Sequence, residues 1–173
     1  MTKSIIIAGS GGQGIMLIGK VLAQAAMDDA KFVTWLPAYG AEVRGGTAHC
    51  MVIISDAEIG SPCVEKADVI IAMNQLSFNK FKNQLNEKGI LIVNSSLAKV
   101  NSETKALKFP FTEIAINLGN IKVANMVALG ALLGKKKIVP VKNIVNIIKQ
   151  MAPADRPELI TVNQAALNKG LEL

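Results

Sequence analysis

Three groups of residues in this chain are of types that do chemistry. The first is Gly9-Ser10-Gly11-Gly12-Gln13-Gly14, which satisfies G-x-G-x-x-G. Glycines at that spacing let the backbone turn tightly and approach a ligand, and the free amides where a helix begins attract an anion. The second is Tyr39-Gly40-Ala41-Glu42-Val43-Arg44-Gly45-Gly46-Thr47, which holds Arg44, one of only two arginines in the chain. Gly45 and Gly46 beside it allow positive φ, and its planar fork matches a carboxylate or a phosphate. An internal ion pair with Glu42 is the structural use of the same side chain. The third group is His49, Cys50 and Cys63. On a strand His49 and Cys50 face opposite ways, so they form no pair, and a lone histidine and buried cysteines read first as packing residues. Asn74-Gln75 and Asn94-Ser95-Ser96 close two apolar runs, where they either cap the next element or line a ligand edge.

The elements that must position these groups follow from periodicity. Short β-branched runs at Ile5 to Ala8, Phe32 to Leu36, Ala48 to Ser55, Val69 to Met73 and Ile90 to Asn94 read as strands bounded by turn residues. Helical spacing spans Gly14 to Met27, Gln75 to Leu85, Ile121 to Leu133 and Val141 to Met151. A last helix starts near Asp155, with Asp155 as N-cap and Glu158 three residues on. Gly134 is expected to end the third helix, with Lys135, Lys136 and Lys137 suited to its carboxyl end. The first strand, first helix and second strand make a βαβ unit with its two strands as parallel neighbours. The fold class is therefore α/β: one three-layer domain over residues 1–173, with a mostly parallel sheet, helices on both faces and a Rossmann-like start. In such a sheet ligands collect outside the carboxyl ends of the strands, where both glycine loops fall.

A dinucleotide fingerprint also needs an acidic residue about 20 positions on, at the end of the second strand. Trp35, Leu36 and Pro37 stand there, and Asp28 and Asp29 precede the strand. The Gly-Lys-Ser/Thr ending of a P-loop is missing too. Two uses of the first loop stay open: a turn that packs helix on sheet, and a contact to an anion or cofactor phosphate.

Composition sets the outer bounds. Half of the 173 residues are hydrophobic and 18% charged, which excludes the disordered classes. Two cysteines thirteen positions apart cannot make a four-cysteine zinc site or ligate an iron–sulfur cluster within this chain. The apolar run at Ile5 is broken by Gly9 before it reaches the length of a signal core or membrane span, so a cytoplasmic location without a membrane span is expected. Of the nineteen basic residues behind the net charge of +6, seventeen are lysines, and aromatics are 4%. Base readout by arginine and single-strand stacking both lack material, which argues against nucleic acid. A solvated lysine surface and a docking face for an acidic partner remain.

The combination of GSGGQG with WLPAYGAEVRGGTAHCMVIIS, then IGSP, ADVIIAMNQ and LIVNSS, resembles the gamma subunit of the 2-oxoacid:ferredoxin oxidoreductases from Ile5 through the final helix. The form WLPAYG with RGGTAHC is most similar to the 2-oxoglutarate members. Ala41 departs from the usual proline, and His49 stands where asparagine is more usual. The resemblance implies an accessory subunit of an enzyme that converts 2-oxoglutarate and coenzyme A to succinyl-CoA and carbon dioxide, with electrons passed to ferredoxin or a similar acceptor. It implies alpha, beta and ferredoxin-like delta subunits as partners, with thiamine diphosphate, magnesium and iron–sulfur clusters held by them. It places no catalytic residue and no metal in this chain. Gly9, Ser10, Gly11, Gly12, Gln13, Gly14, Arg44, Gly45, Gly46 and Asn94 are the residues expected at a coenzyme A contact. Pyruvate or branched-chain specificity, a stand-alone nucleotide-binding oxidoreductase and a pure scaffold are the alternatives.

Overall fold

The computed structural model describes residues 1–38 and 47–173. Six strands form one sheet in the order β2-β3-β1-β4-β5-β6. The central strand β1 (Thr2–Ser10) carries an apolar run in which Ile5, Ile6, Ile7 and Ala8 are all fully buried. That is the signature of a strand covered on both faces. β4 (Ala67–Ala72), β5 (Leu85–Asn94) and β6 (Leu107–Phe109) continue parallel from one side of it. On the other side β3 (Thr47–Ser55) is antiparallel to β1, and β2 (Phe32–Ala38) is antiparallel to β3.

This arrangement corrects one expectation. β1 and β2 run the same way, but β3 lies between them, so they are not neighbours. Only eight residues link Ala38 to Thr47. A parallel crossover needs a dozen or more residues, so β3 returns antiparallel and takes the place beside β1.

The two faces of the sheet are covered unequally. α1 (Ile15–Met27), α3 (Phe111–Asn117), α4 (Ala124–Lys135), α5 (Val141–Met151) and α6 (Glu158–Leu171) share one core with Ile5, Ile7, Cys50, Val52, Val69 and Ile71. The opposite face buries Ile6, Ala8, Ile53, Ile70 and Leu91 under α2 (Gln75–Phe81), with Val64 and Ala98 from loops. α4 is apolar almost all round, with ten of its twelve residues buried, because it is enclosed by other elements. Its contact with α6 is backbone on backbone. A Cβ at Gly130 would lie 2.1 Å from the Leu167 carbonyl oxygen, and one at Gly170 would lie 2.1 Å from that of Val127.

The ends of several elements also differ from expectation. α4 runs through Gly134 to Lys135, because Gly134 serves close packing against the Leu171 carbonyl, 2.9 Å from where a Cβ would sit. Lys135 donates to the carbonyl of Leu173 at 2.6 Å rather than to its own helix end. α6 starts at Glu158 with Pro157 before it and no side-chain cap, so the capping box at Asp155 does not form.

Candidate functional site

The chain reverses from β1 into α1 within four residues at the carboxyl edge of the sheet. Gln13 makes that turn. Its backbone N–H donates to the Ser10 carbonyl at 3.2 Å, and its side-chain oxygen accepts from the Ser10 N–H at 2.7 Å. Its side-chain NH2 donates to the Met73 carbonyl at 3.4 Å, at the end of β4. Gly12 and Gly14 have φ of 84° and 68°, the left-handed region that favours glycine. Gly14 has a second constraint, since a Cβ there would lie 2.1 Å from the Asn125 Nδ2. That amide donates to the Gly14 carbonyl at 3.3 Å and ties the first turn of α4 to the start of α1.

Asn94 is fully buried at the end of β5. Its NH2 donates to the Met73 carbonyl at 3.2 Å and to the Thr112 hydroxyl at 2.9 Å, while its oxygen accepts from the N–H of Ser96 and of Thr112. With its amide engaged in this way, Asn94 joins β4, β5 and α3, as Gln13 joins β1 to β4. Ser10 is held similarly, its hydroxyl accepting from Asn74. Asn74 in turn caps α2 by accepting from the Ser77 N–H at 2.9 Å, so the capping use is the one this asparagine has. The polar side chains of the first loop and of Asn94 thus frame the edge.

The parts facing outward are backbone. Gly11 and Gly12 are exposed, and among the described residues no backbone carbonyl accepts from the N–H of Gly11, Gly12 or Gly14. Beside them lies a cavity of about 170 Å³ lined by Gly12, Gln13, Met73, Leu97, Thr112, Ile121, Lys122 and Ala124. α1 and α4 both begin here, so two positive helix ends and the Lys122 ammonium meet an apolar wall. The arrangement suits an anionic group carrying an apolar arm. Leu76, Leu97 and Ile121 are 55%, 46% and 57% exposed around the same edge.

Sequence reasoning missed Asn125, Thr112 and Lys122. Asn125 had a legible sign: it is the one polar side chain in the otherwise apolar run Ala124 to Leu133. Ala38 and Thr47, the residues on either side of 39–46, are at this edge too, since His49 pairs with both Ala8 and Ala38 and Thr47 with Ser10. Arg44, Gly45 and Gly46 lie outside the described residues. The structure weakens a dinucleotide reading further, because the end of β2 stands two strand spacings, about 9.5 Å, from β1.

His49 and Cys50 face opposite sides, as alternation requires. The His49 ring packs at 4.8 Å from that of Phe81, and its Nδ1 is buried without a partner among the described residues. Burial, and then the Lys80 charge, hold its pKa below the ordinary value, so it is neutral at pH 7. Cys50 is under the helical layer and Cys63 is exposed. Among the described residues there is no cluster of three or more His, Cys, Asp or Glu able to hold a metal. None of the helices described is long and apolar enough to cross a membrane.

Comparison with known proteins places this geometry. Residues 4–173 match the family model "Pyruvate ferredoxin/flavodoxin oxidoreductase". The ketoisovalerate oxidoreductase subunit VorA of Methanothermobacter thermautotrophicus is 41% identical over 128 residues, 73% of this chain but 27% of that protein. The chain therefore spans about a quarter of the VorA length. The 2-oxoglutarate synthase subunit KorC of Methanocaldococcus jannaschii is 35% identical, with 100% of this chain and 94% of that protein covered. The crystal structure of a keto/oxoacid ferredoxin oxidoreductase gamma subunit from Geobacter sulfurreducens superposes with a TM-score of 0.83 at 31% identity, covering 98% of this chain and 96% of that one. The whole described fold, from β1 to α6, is shared with that subunit, and the chain belongs to the pyruvate ferredoxin/flavodoxin oxidoreductase family.

Proposed function

We propose that the chain is the gamma subunit of a multi-subunit 2-oxoglutarate:ferredoxin oxidoreductase, acting in the cytoplasm with alpha, beta and ferredoxin-like delta subunits. The observation that carries this reading is the end-to-end correspondence with KorC, 100% of this chain against 94% of that one. The higher identity to VorA favours a branched-chain 2-oxoacid as the second reading, but it covers only 27% of that protein. In the assembled enzyme, thiamine diphosphate with magnesium supplies the decarboxylation chemistry from partner subunits, and iron–sulfur clusters carry the electrons onward.

This chain's share is binding. The N–H groups of Gly11, Gly12 and Gly14, with Arg44 and its flanking Gly45 and Gly46, hold the phosphates of coenzyme A. The Met73, Leu97 and Ile121 wall takes the less polar arm. Gln13, Ser10, Gly9 and Asn94 keep that edge in shape. The exposed Leu76, Leu97 and Ile121 lie where a partner subunit would cover them.

Reconstitution of the complex tests both levels. The ratio kcat/KM is expected to favour 2-oxoglutarate over pyruvate and 2-oxoisovalerate, and a preference for 2-oxoisovalerate replaces the first reading with the second. Arg44→Ala is expected to raise the KM for coenzyme A about tenfold, the loss of one charge-assisted contact, while decarboxylation persists. An unchanged KM with a loosened assembly would make Arg44 an interface residue instead.

A further inference from the structure

The two outer strands of the sheet are finished differently. β6 closes one side with three residues, among them the exposed Lys108, the short and charged form that keeps an edge from pairing. β2 closes the other side with seven residues, Phe32 to Ala38, none of them charged and all in unbroken register with β3. Residues of an antiparallel strand alternate between bonding one neighbour and facing the other way. Pro37 has no N–H to give to β3, so the backbone groups of Pro37, Trp35 and Val33 are the ones directed outward. Among the described residues nothing pairs with them. On the face that carries Ile53 and Met51, Phe32 is 47% exposed, and the Thr34 Oγ1 is buried without a partner among the described residues.

We propose that β2 pairs with β2 of a second copy of this chain, antiparallel about a two-fold axis at Thr34, so that one sheet runs through both copies. The strand matches its own reverse, and that match selects a second copy over a foreign strand. In this register Val33 and Trp35 of one copy exchange their backbone bonds with Trp35 and Val33 of the other. Next along, Pro37 meets Lys31, whose N–H is already given to the Ala26 carbonyl at 3.1 Å. The pairing therefore ends where both strands run out of donors. Phe32 meets Leu36, which covers its exposed ring, and Thr34 meets itself, where a facing hydroxyl supplies the missing partner. Self-pairing sets like charges against each other wherever a strand is charged. β2 has no charge, and the Lys31 ammonium beside it is held by Asp56 at 2.7 Å. A single strand pair is a small interface, so the isolated chain is expected to exchange reversibly between monomer and dimer. The inference stands apart from the oxidoreductase reading.

The test is sedimentation of the full chain over a concentration series, with cysteine cross-linking to read the register. With the exposed Cys63 replaced by serine, Thr34→Cys is expected to form a disulfide-linked dimer on mild oxidation, because facing residues of a non-bonded antiparallel pair lie about 4.5 Å apart at Cα. Phe32→Cys and Leu36→Cys should cross-link when the two variant chains are mixed, and neither with itself. Thr34→Lys should move the dimer midpoint about tenfold or more toward higher concentration, and mixing it with Thr34→Asp chains should restore dimers. The cysteine series puts no charge on the strand, so it decides the matter even where Thr34→Lys does not fold. A parent that stays monomeric throughout the series would overturn the proposal. So would a dimer in which Thr34→Cys does not cross-link, or a reconstituted complex in which it links to a different subunit instead of to its own copy.

Discussion

Among the described residues, one face of the sheet packs thirty-four buried side chains under five helices, while the other packs twelve under the seven-residue α2 and two loop segments. The larger core holds most of the burial that opposes chain entropy. It also contains the contacts that leave no room for adjustment, where α4 and α6 touch backbone to backbone. The thinner face is made of side-chain ends and loops that can shift. The proposed coenzyme A contact is on neither face. It lies along the carboxyl edge, where α1, α2, α3 and α4 all begin, so the helical layer serves the site mainly by holding the starts of α1 and α4 together through Asn125.

Substitutions chosen on each side of the sheet test this contrast. The largest effect is expected from Gly170→Ala, whose Cβ would meet the Val127 carbonyl at 2.1 Å with backbone on both sides. A loss of about 3 kcal/mol or more follows, read as a lowered urea midpoint or as insoluble protein. Gly60→Ala, in the loop between β3 and β4, would meet nothing within 4 Å and should stay within about 0.5 kcal/mol of the parent. Equal losses at the two positions would show that helix contact is not what separates the faces.

The thiols offer a comparison that needs no substitution. Cys50 is buried under the helical layer, and burial pushes its thiol up to about 12, against a smaller opposing effect from Trp35. At pH 8 roughly one part in ten thousand is thiolate. Titration of the native chain with a disulfide reagent should therefore count one fast thiol, the exposed Cys63, and two only in denaturant. Two fast thiols in the native chain would mean that the helical layer opens readily.

The smallest effect is expected at Asp56, just beyond β3. The Lys31 ammonium, which donates to it at 2.7 Å, and then the amino terminus hold its carboxyl at about 2, below the ordinary 3.8. A depressed folded-state value stabilises the fold above the unfolded value and is lost as pH falls through about 2. The pair is exposed, so its share is slight and fades with salt. Asp56→Asn should remove that slight share at neutral pH, leave stability below about pH 2 unchanged, and so flatten the acid side of the stability curve between about pH 4 and pH 2.

Much of the architecture was legible because its signals are local. The apolar runs marked five of the six strands, and α5 falls on Val141–Met151 as its spacing demanded. β6 and α3 were missed: three residues carry no period, and the seven residues after Pro110 make a helix too short to stand out. The insertion of β3 between β1 and β2 is a tertiary choice. Its one sign was an eight-residue connection too short for a crossover. At the site, the glycine loop was visible as a motif, but the work of Gln13 and Asn94 was not. Residue type says that an amide can bond a ligand. Only the fold shows that the Met73 and Ser10 backbones already occupy these two.

Met73 has a further consequence. Its carbonyl oxygen accepts from Gln13 on one side and from Asn94 on the other, so the turn after β1 and the turn after β5 share a single acceptor. Both bonds depend on the position of that one carbonyl group, so a displacement of Met73 stretches both, and the two turns loosen together. Slow openings at this edge should therefore be collective, with β1, β4 and β5 releasing their ends as one cooperative unit rather than fraying strand by strand.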